Sequence, residues 1–303
     1  MSFKLLMAGL VGFGLFATTN SARSQVILYG MTAGVPGGGA QPTNRLVHVD
    51  TTTGNVSNSQ DIGITLMVGI STQPSTGFLY GLSSDFSNVP NTLMRIDSGT
   101  GAVTIVGPTG LHIIEGDLAF NPVNGFLYGI QDIGPNGTQN NLFRINPTTG
   151  ASFVVGNTGS PGDLSALAFS PSGVLYTIDS AGLSNSLLQT IDPSTGAILN
   201  TVAMNVNLGS AVGMAFNPIT GVAYVGDNSP SPASGGTNSV YTLNVATGDL
   251  TLIGPTNDPN GLCGLAFVAI PEPSSTALTG LTLFLVGFAR RRRKSRAVFT
   301  SNS

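Results

Sequence analysis

Four tyrosines, Tyr80, Tyr128, Tyr176 and Tyr224, stand 48 residues apart. Each closes a phrase made of an apolar run, a Pro- and Gly-rich turn and a second apolar run: "LAFNPVNGFLYGI" (118–130), "LAFSPSGVLYTI" (167–178), "MAFNPITGVAYVG" (214–226) and, more loosely, "GISTQPSTGFLYGL" (69–82). A second phrase, Asp/Asn-x-x-Thr-Gly, recurs as "DTTTG" (50–54), "DSGTG" (97–101), "NPTTG" (146–150), "DPSTG" (192–196) and "NVATG" (244–248). A fixed period of this length means repeated supersecondary units. The third unit reads as strands at 116–120, 126–130, 141–146 and 151–156. In its "NPVNG" turn Pro presets φ and Gly accepts positive φ, while the Asp or Asn of the second phrase caps its own turn with its side chain.

Tandem four-stranded units predict an all-β protein, a five-bladed β-propeller of four-stranded blades spanning residues 25–270. A β-solenoid is the rival, with shorter repeats as a rule. The ends decide between them. "QVILYG" (25–30) opens on the Tyr strand without the strand before it, and "GLCGLAFVAI" (261–270) closes on that missing strand without its partner. Pairing the two closes the ring and removes its open edges. The body resembles propellers with YVTN-like and NHL-like repeats, through the "LAFNPxxGxLYG" phrase and the Thr-Gly turn. That resemblance implies the fold and no particular activity.

Charge narrows the function. Residues 25–270 hold thirteen acids against Arg45, Arg95 and Arg144, a net of about −10. Such a surface repels phosphate backbones and argues against a nucleic-acid partner. The single Cys263 has no partner for a disulfide or a metal site, and reads as a small buried apolar residue.

Propellers act at the mouth of the central channel, where the loops entering the innermost strands converge. Here those loops are small and apolar except in the third unit. Glu115 and Asp117 stand there, where other units carry Leu164 and Ala166, Ala211 and Gly213, or Leu262 and Gly264. Two neighbouring carboxylates suit an acid–base pair, since like charges drive one pKa up. They also suit calcium, with Asp163 and His112 as further ligands. The alternative is that both face water at a loop. No motif requires a cofactor, and no Ser-His-Asp set, phosphate loop or His/Cys cluster appears. His48, Arg95, Arg144, Thr190 and Thr242 share one position, two before the turn Asp/Asn; this predicts one solvated face, with the arginines paired to neighbouring acids.

The two ends read as targeting segments. Met1–Lys4, the apolar stretch 5–17 and "ARS" (22–24) form a signal peptide at 1–24, with cleavage after Ser24. At the other end, residues 271–296 hold Pro271, Glu272 and Pro273, an uncharged run at 274–289 and the basic cluster Arg290, Arg291, Arg292, Arg293 and Lys294, before a polar tail at 297–303. The run is near the lower limit for one transmembrane helix, and the basic cluster would hold that end in the cytoplasm. This order resembles the PEP-CTERM sorting signal. The resemblance implies recognition by an exosortase, a membrane-embedded cysteine transpeptidase-like enzyme of Gram-negative bacteria. It also implies transient anchoring in the inner membrane, cleavage near 271–273 and passage to the cell surface or extracellular matrix. The expectation is an exported propeller that binds a glycan or surface protein in a biofilm matrix, or is a structural part of it. A matrix-polysaccharide hydrolase or lyase using Glu115 and Asp117 is the alternative.

Overall fold

A computed structural model of the chain describes residues 25–32, 42–132, 140–160, 162–180, 186–208, 212–228 and 238–270. Residues 1–24, where a signal peptide is expected, and residues 271–303, with the expected sorting residues Pro271–Pro273 and Arg290–Lys294, lie outside the described residues. Among the described residues no helix is long and apolar enough to cross a membrane.

Twenty strands in the described residues form five antiparallel sheets of four. Blade 1 joins β1 (Gln25–Thr32), β2 (Thr43–Val49) and β3 (Val56–Thr65) to the last strand, β20 (Leu262–Ile270), at its inner edge. Blade 2 is β4 (Met67–Thr72), β5 (Leu79–Ser83), β6 (Thr92–Ile96) and β7 (Val103–Pro108). Blade 3 is β8 (Glu115–Phe120), β9 (Leu127–Asp132), β10 (Asn141–Ile145) and β11 (Ser152–Asn157). Blade 4 is β12 (Leu164–Phe169), β13 (Leu175–Asp179), β14 (Leu187–Ile191) and β15 (Ile198–Ala203). Blade 5 is β16 (Val212–Phe216), β17 (Ala223–Asp227), β18 (Ser239–Asn244) and β19 (Asp249–Pro255). The strands of blade 3 fall within two residues of the positions read from the sequence, and β20 completes blade 1 as the ring argument requires. This is a five-bladed propeller of four-stranded blades.

The core lies in the seams. Five clusters of buried side chains occupy the five junctions between neighbouring blades. The repeated tyrosine belongs to this packing. Tyr80, Tyr128, Tyr176 and Tyr224 each meet a phenylalanine from the next blade's innermost strand, Phe120, Phe169, Phe216 and Phe267, at 5.3 to 5.5 Å between ring centres. Tilted pairs of this kind add about 0.5–1.5 kcal/mol beyond area burial. Blade 2 has Thr72 where the others have phenylalanine, and Tyr29 turns instead to the edge of His48 at 4.7 Å.

The Asp/Asn-x-x-Thr-Gly phrase does what its chemistry suggests. Asp50, Asp97, Asn146, Asp192 and Asn244 each accept a backbone N–H from two residues on, at 2.7 to 3.0 Å. Hydroxyls of Thr52, Thr100 and Ser194, followed by backbone amides, hold the carboxyls of Asp50, Asp97 and Asp192 below the usual range. The final glycine has a second duty. In blade 3, Gly150 (φ +80°) lies against the Gly107 carbonyl of blade 2, so the turn rests on the outer strand of its neighbour.

Candidate functional site

The innermost strands β4, β8, β12, β16 and β20 line the axis, and at one level they present Gly69, Asp117, Ala166, Gly213 and Gly264. The three glycines are required by contact. A methyl group on Gly213 would sit 2.6 Å from the Gly264 carbonyl carbon, and one on Gly264 would sit 2.8 Å from the Ile70 nitrogen. Inner-strand backbones therefore touch where blade 1 meets blades 5 and 2, and Gly69 lies directly against the Asp117 carboxyl.

Asp117 occupies no loop. It is wholly buried in β8, and its carboxylate accepts the Leu118 N–H at 2.7 Å within its own blade and the Leu167 N–H at 2.9 Å from blade 4. The amide edge of an innermost strand faces the axis with no further strand to pair it, and Asp117 supplies the missing acceptor across a seam. Burial pushes its pKa well above the usual carboxylate range, while the two amide hydrogen bonds pull it back. Glu115, two residues earlier on the same side of the pleat, is half-buried at the start of β8.

The other two candidates point elsewhere. Asp163 is half-buried just before β12, and its backbone carbonyl accepts the Ser180 N–H at 3.1 Å. The His112 side chain is 85% exposed, and its Nδ1 lies 3.1 Å from Asp85 Oδ2 at the surface. Among the described residues, no three His, Cys, Asp or Glu side chains are grouped to hold a metal ion. Calcium takes about six to eight oxygens. Asp117, with both oxygens already engaged by amides, does not fit that role.

A second polar level escaped the sequence reading. Three residues after each tyrosine stand Thr32, Ser83, Gln131, Asp179 and Asp227, all buried. Asp179 accepts the Ser160 hydroxyl at 2.8 Å, and the Ser83 hydroxyl accepts the Thr92 N–H at 3.0 Å. The signal was available in the fixed offset from tyrosine, but it is hidden by the change of residue type from blade to blade.

At the turn-side end the axis opens into an apolar cavity of about 250 Å³. The ends of all five inner strands line it, with Pro74, Pro122, Pro171 and Pro218 at its rim.

The arginines also depart from expectation. Neither Arg95 nor Arg144 pairs with an acid among the described residues; each sits over the ring of a phenylalanine. Arg95 sits 4.2 Å from the Phe78 ring centre and Arg144 3.6 Å from that of Phe126. The physical reason is register. Phe78 and Phe126 fall two residues before the blade tyrosine, diagonal to the arginine on the neighbouring strand, and bring an aromatic face within its reach. Blades 4 and 5 have Val174 and Val222 at that place.

Residues 117–270 match a family described as a repeat of unknown function, DUF6923. The chain belongs to this family. The DUF6923 match begins at Asp117 and runs to the end of β20, so it takes in blades 3, 4 and 5 and the closing strand. No curated protein matches the chain. Among solved structures, Kuenenia stuttgartiensis hydrazine synthase is similar with a TM-score of 0.43 at 17% identity, over 72% of this chain and 62% of that one. A nidogen/laminin complex is similar at 0.49 and 12% identity, over 80% and 98%. TolB from Acinetobacter baumannii is similar at 0.46 and 14% identity, over 77% and 54%. The DUF6923 chain thus spans less than two thirds of the first and third of these, and no function is carried over from them.

Proposed function

We propose that this DUF6923 protein is exported, sorted by an exosortase, and acts at the cell surface or in the extracellular matrix as a binding or structural propeller. The observation that carries the binding reading is the closed axis. The innermost backbones touch at Gly213 and Gly264, and the one carboxylate at that level, Asp117, is engaged by amides of two blades. A hydrolase or lyase using Glu115 and Asp117 needs those groups at an open mouth. A rigid ring with variable loops suits a glycan or protein partner instead. The route rests on the ends of the sequence: the signal-like start, then Pro271-Glu272-Pro273 directly after β20, the uncharged run and the basic cluster.

Mass spectrometry of the protein recovered from the cell surface tests the route. The expected mature form starts at Gln25 and ends at or near Pro271–Pro273, without Arg290–Lys294. Surface protein that retains 290–303 intact would sink the sorting assignment. For the activity, Glu115→Gln combined with Asp117→Asn is expected to leave glycan binding in place, with no turnover in either form. Polysaccharide cleavage abolished by that pair would reverse the reading.

A further inference from the structure

Arg144 is one of three arginines in a stretch that holds thirteen acids. Arg45 is taken by Asp258 at 2.5 Å. Arg144 has neither a carboxylate partner nor a hydrogen bond among the described residues. Its guanidinium is fixed by aromatic faces, 3.6 Å from the Phe126 centre, 5.4 Å from Phe153 and 5.9 Å from Tyr128. Stacking uses the π face of a guanidinium and leaves its five N–H donors, which lie in the plane, unspent.

Those donors border a groove of about 390 Å³ between blades 3 and 4, lined by Arg144, Phe153, Tyr128 and Asn124 on one side and Pro193 of the next blade's turn on the other. That volume lies in the range of about 300–1,000 Å³ typical of small-ligand sites. Phe153 is 56% exposed, and its ring centre lies 5.4 Å from the Arg144 guanidinium carbon. Asn124 accepts the Phe126 N–H at 3.0 Å through its carboxamide oxygen, so its NH₂ remains a donor with no partner among the described residues.

We infer that this groove binds an acidic sugar, the guanidinium fork taking the carboxylate of a uronic acid while the Phe153 ring and Pro193 take the apolar face of the pyranose. The inference rests on the binding reading above and gives it a ligand class and a place. The chemistry excludes simpler occupants. A neutral sugar offers hydroxyl acceptors but leaves the charge unpaired, and an apolar ligand would strip water from an uncompensated cation. A planar carboxylate matches the fork in two parallel hydrogen bonds. Arg95 on Phe78 repeats the free cation one blade away, with Thr104 in place of Phe153 beside it.

The test uses the full chain in detergent, titrated with oligogalacturonate, a neutral oligosaccharide of similar length and dextran sulfate. Arg144→Met keeps the apolar cover over Phe126 and removes the donors; it is expected to weaken oligogalacturonate binding about tenfold or more. Phe153→Ala is expected to weaken it several-fold, and Arg144→Lys to fall between wild type and Arg144→Met. Matching thermal unfolding of variants and wild type separates the loss from misfolding. If Arg144→Met and Phe153→Ala bind oligogalacturonate as wild type does, the groove assignment is wrong, while glycan binding itself stands elsewhere on the ring. Dextran sulfate preferred to oligogalacturonate and lost with Arg144 would overturn the carboxylate assignment. Wild type binding none of the three polymers would sink both the groove and the glycan-binding reading.

Discussion

Asp117 stands where three other blades have glycine and one has alanine, so the ring can be built without it. What it adds is an acceptor for two amides in a place where water is excluded. Asp117→Ala should leave those amides unsatisfied and cost about 1–3 kcal/mol. The cost should also depend on pH. Burial raises the folded-state pKa above the unfolded value, so the native state holds the proton more readily than the unfolded chain. The stability that Asp117 contributes is therefore complete below the unfolded value of about 4 and is lost as pH rises through the raised folded value. Denaturant unfolding at pH 4.5 and pH 8 is expected to show a larger penalty for Asp117→Ala at the lower pH. A larger penalty at pH 8 would mean that the ionised form is the one the amides hold.

At the scale of elements, turns do two jobs, and only one is legible in the sequence. The Asp/Asn cap was readable because a side chain bonding its own backbone two residues on is a local event, and the same letters recur in every blade. The same locality made the strands and the repeated tyrosine predictable. The closing pair of β1 with β20, remote in sequence, was legible from the complementary strands missing at the two ends. Contacts between blades were not, because they depend on which residues two remote registers bring opposite each other. That is why Arg144 read as a solvated cation seeking an acid when it lies on Phe126, and why Asp117 read as a mouth residue when it bridges β8 to the backbone of β12. Gly150 shows the same limit. Its φ of +80° could be foreseen from the turn, but not its contact with the Gly107 carbonyl. Gly125 separates the two effects, because it has φ +75° and nothing within 4 Å of where a Cβ would stand. Gly125→Ala should cost about 1–2 kcal/mol for the left-handed backbone alone. Gly150→Ala should cost clearly more, since the turn must also lift off its neighbour. Equal shifts in the thermal midpoint would show that the outer seam contact contributes nothing.

The ring as a whole depends on the strand that ends it. β20 buries Leu262, Leu265, Phe267 and Val268 against blades 2 and 5 and its own blade. At about 1.5–3 kcal/mol for each fully buried side chain, these four account for on the order of 6–12 kcal/mol. That is comparable to the whole net stability of an ordinary domain, about 5–15 kcal/mol. Without β20, β1 also exposes an unpaired edge that invites association. Just before it, the Arg45–Asp258 ion pair ties β2 to the loop leading into β20, across 213 residues of sequence. The position of Pro271-Glu272-Pro273 then matters mechanically. Cleavage there, one residue or more beyond Ile270, removes no residue of β20, whereas cleavage nine residues earlier removes the strand. Chains ending at 270 and at 261 should accordingly part company. The longer is expected to unfold in one cooperative transition and resist limited proteolysis; the shorter should aggregate or be digested to fragments. If the chain ending at 261 unfolds as cooperatively as the longer one, closure by β20 is dispensable, and the placing of Pro271-Glu272-Pro273 directly after it has no structural consequence.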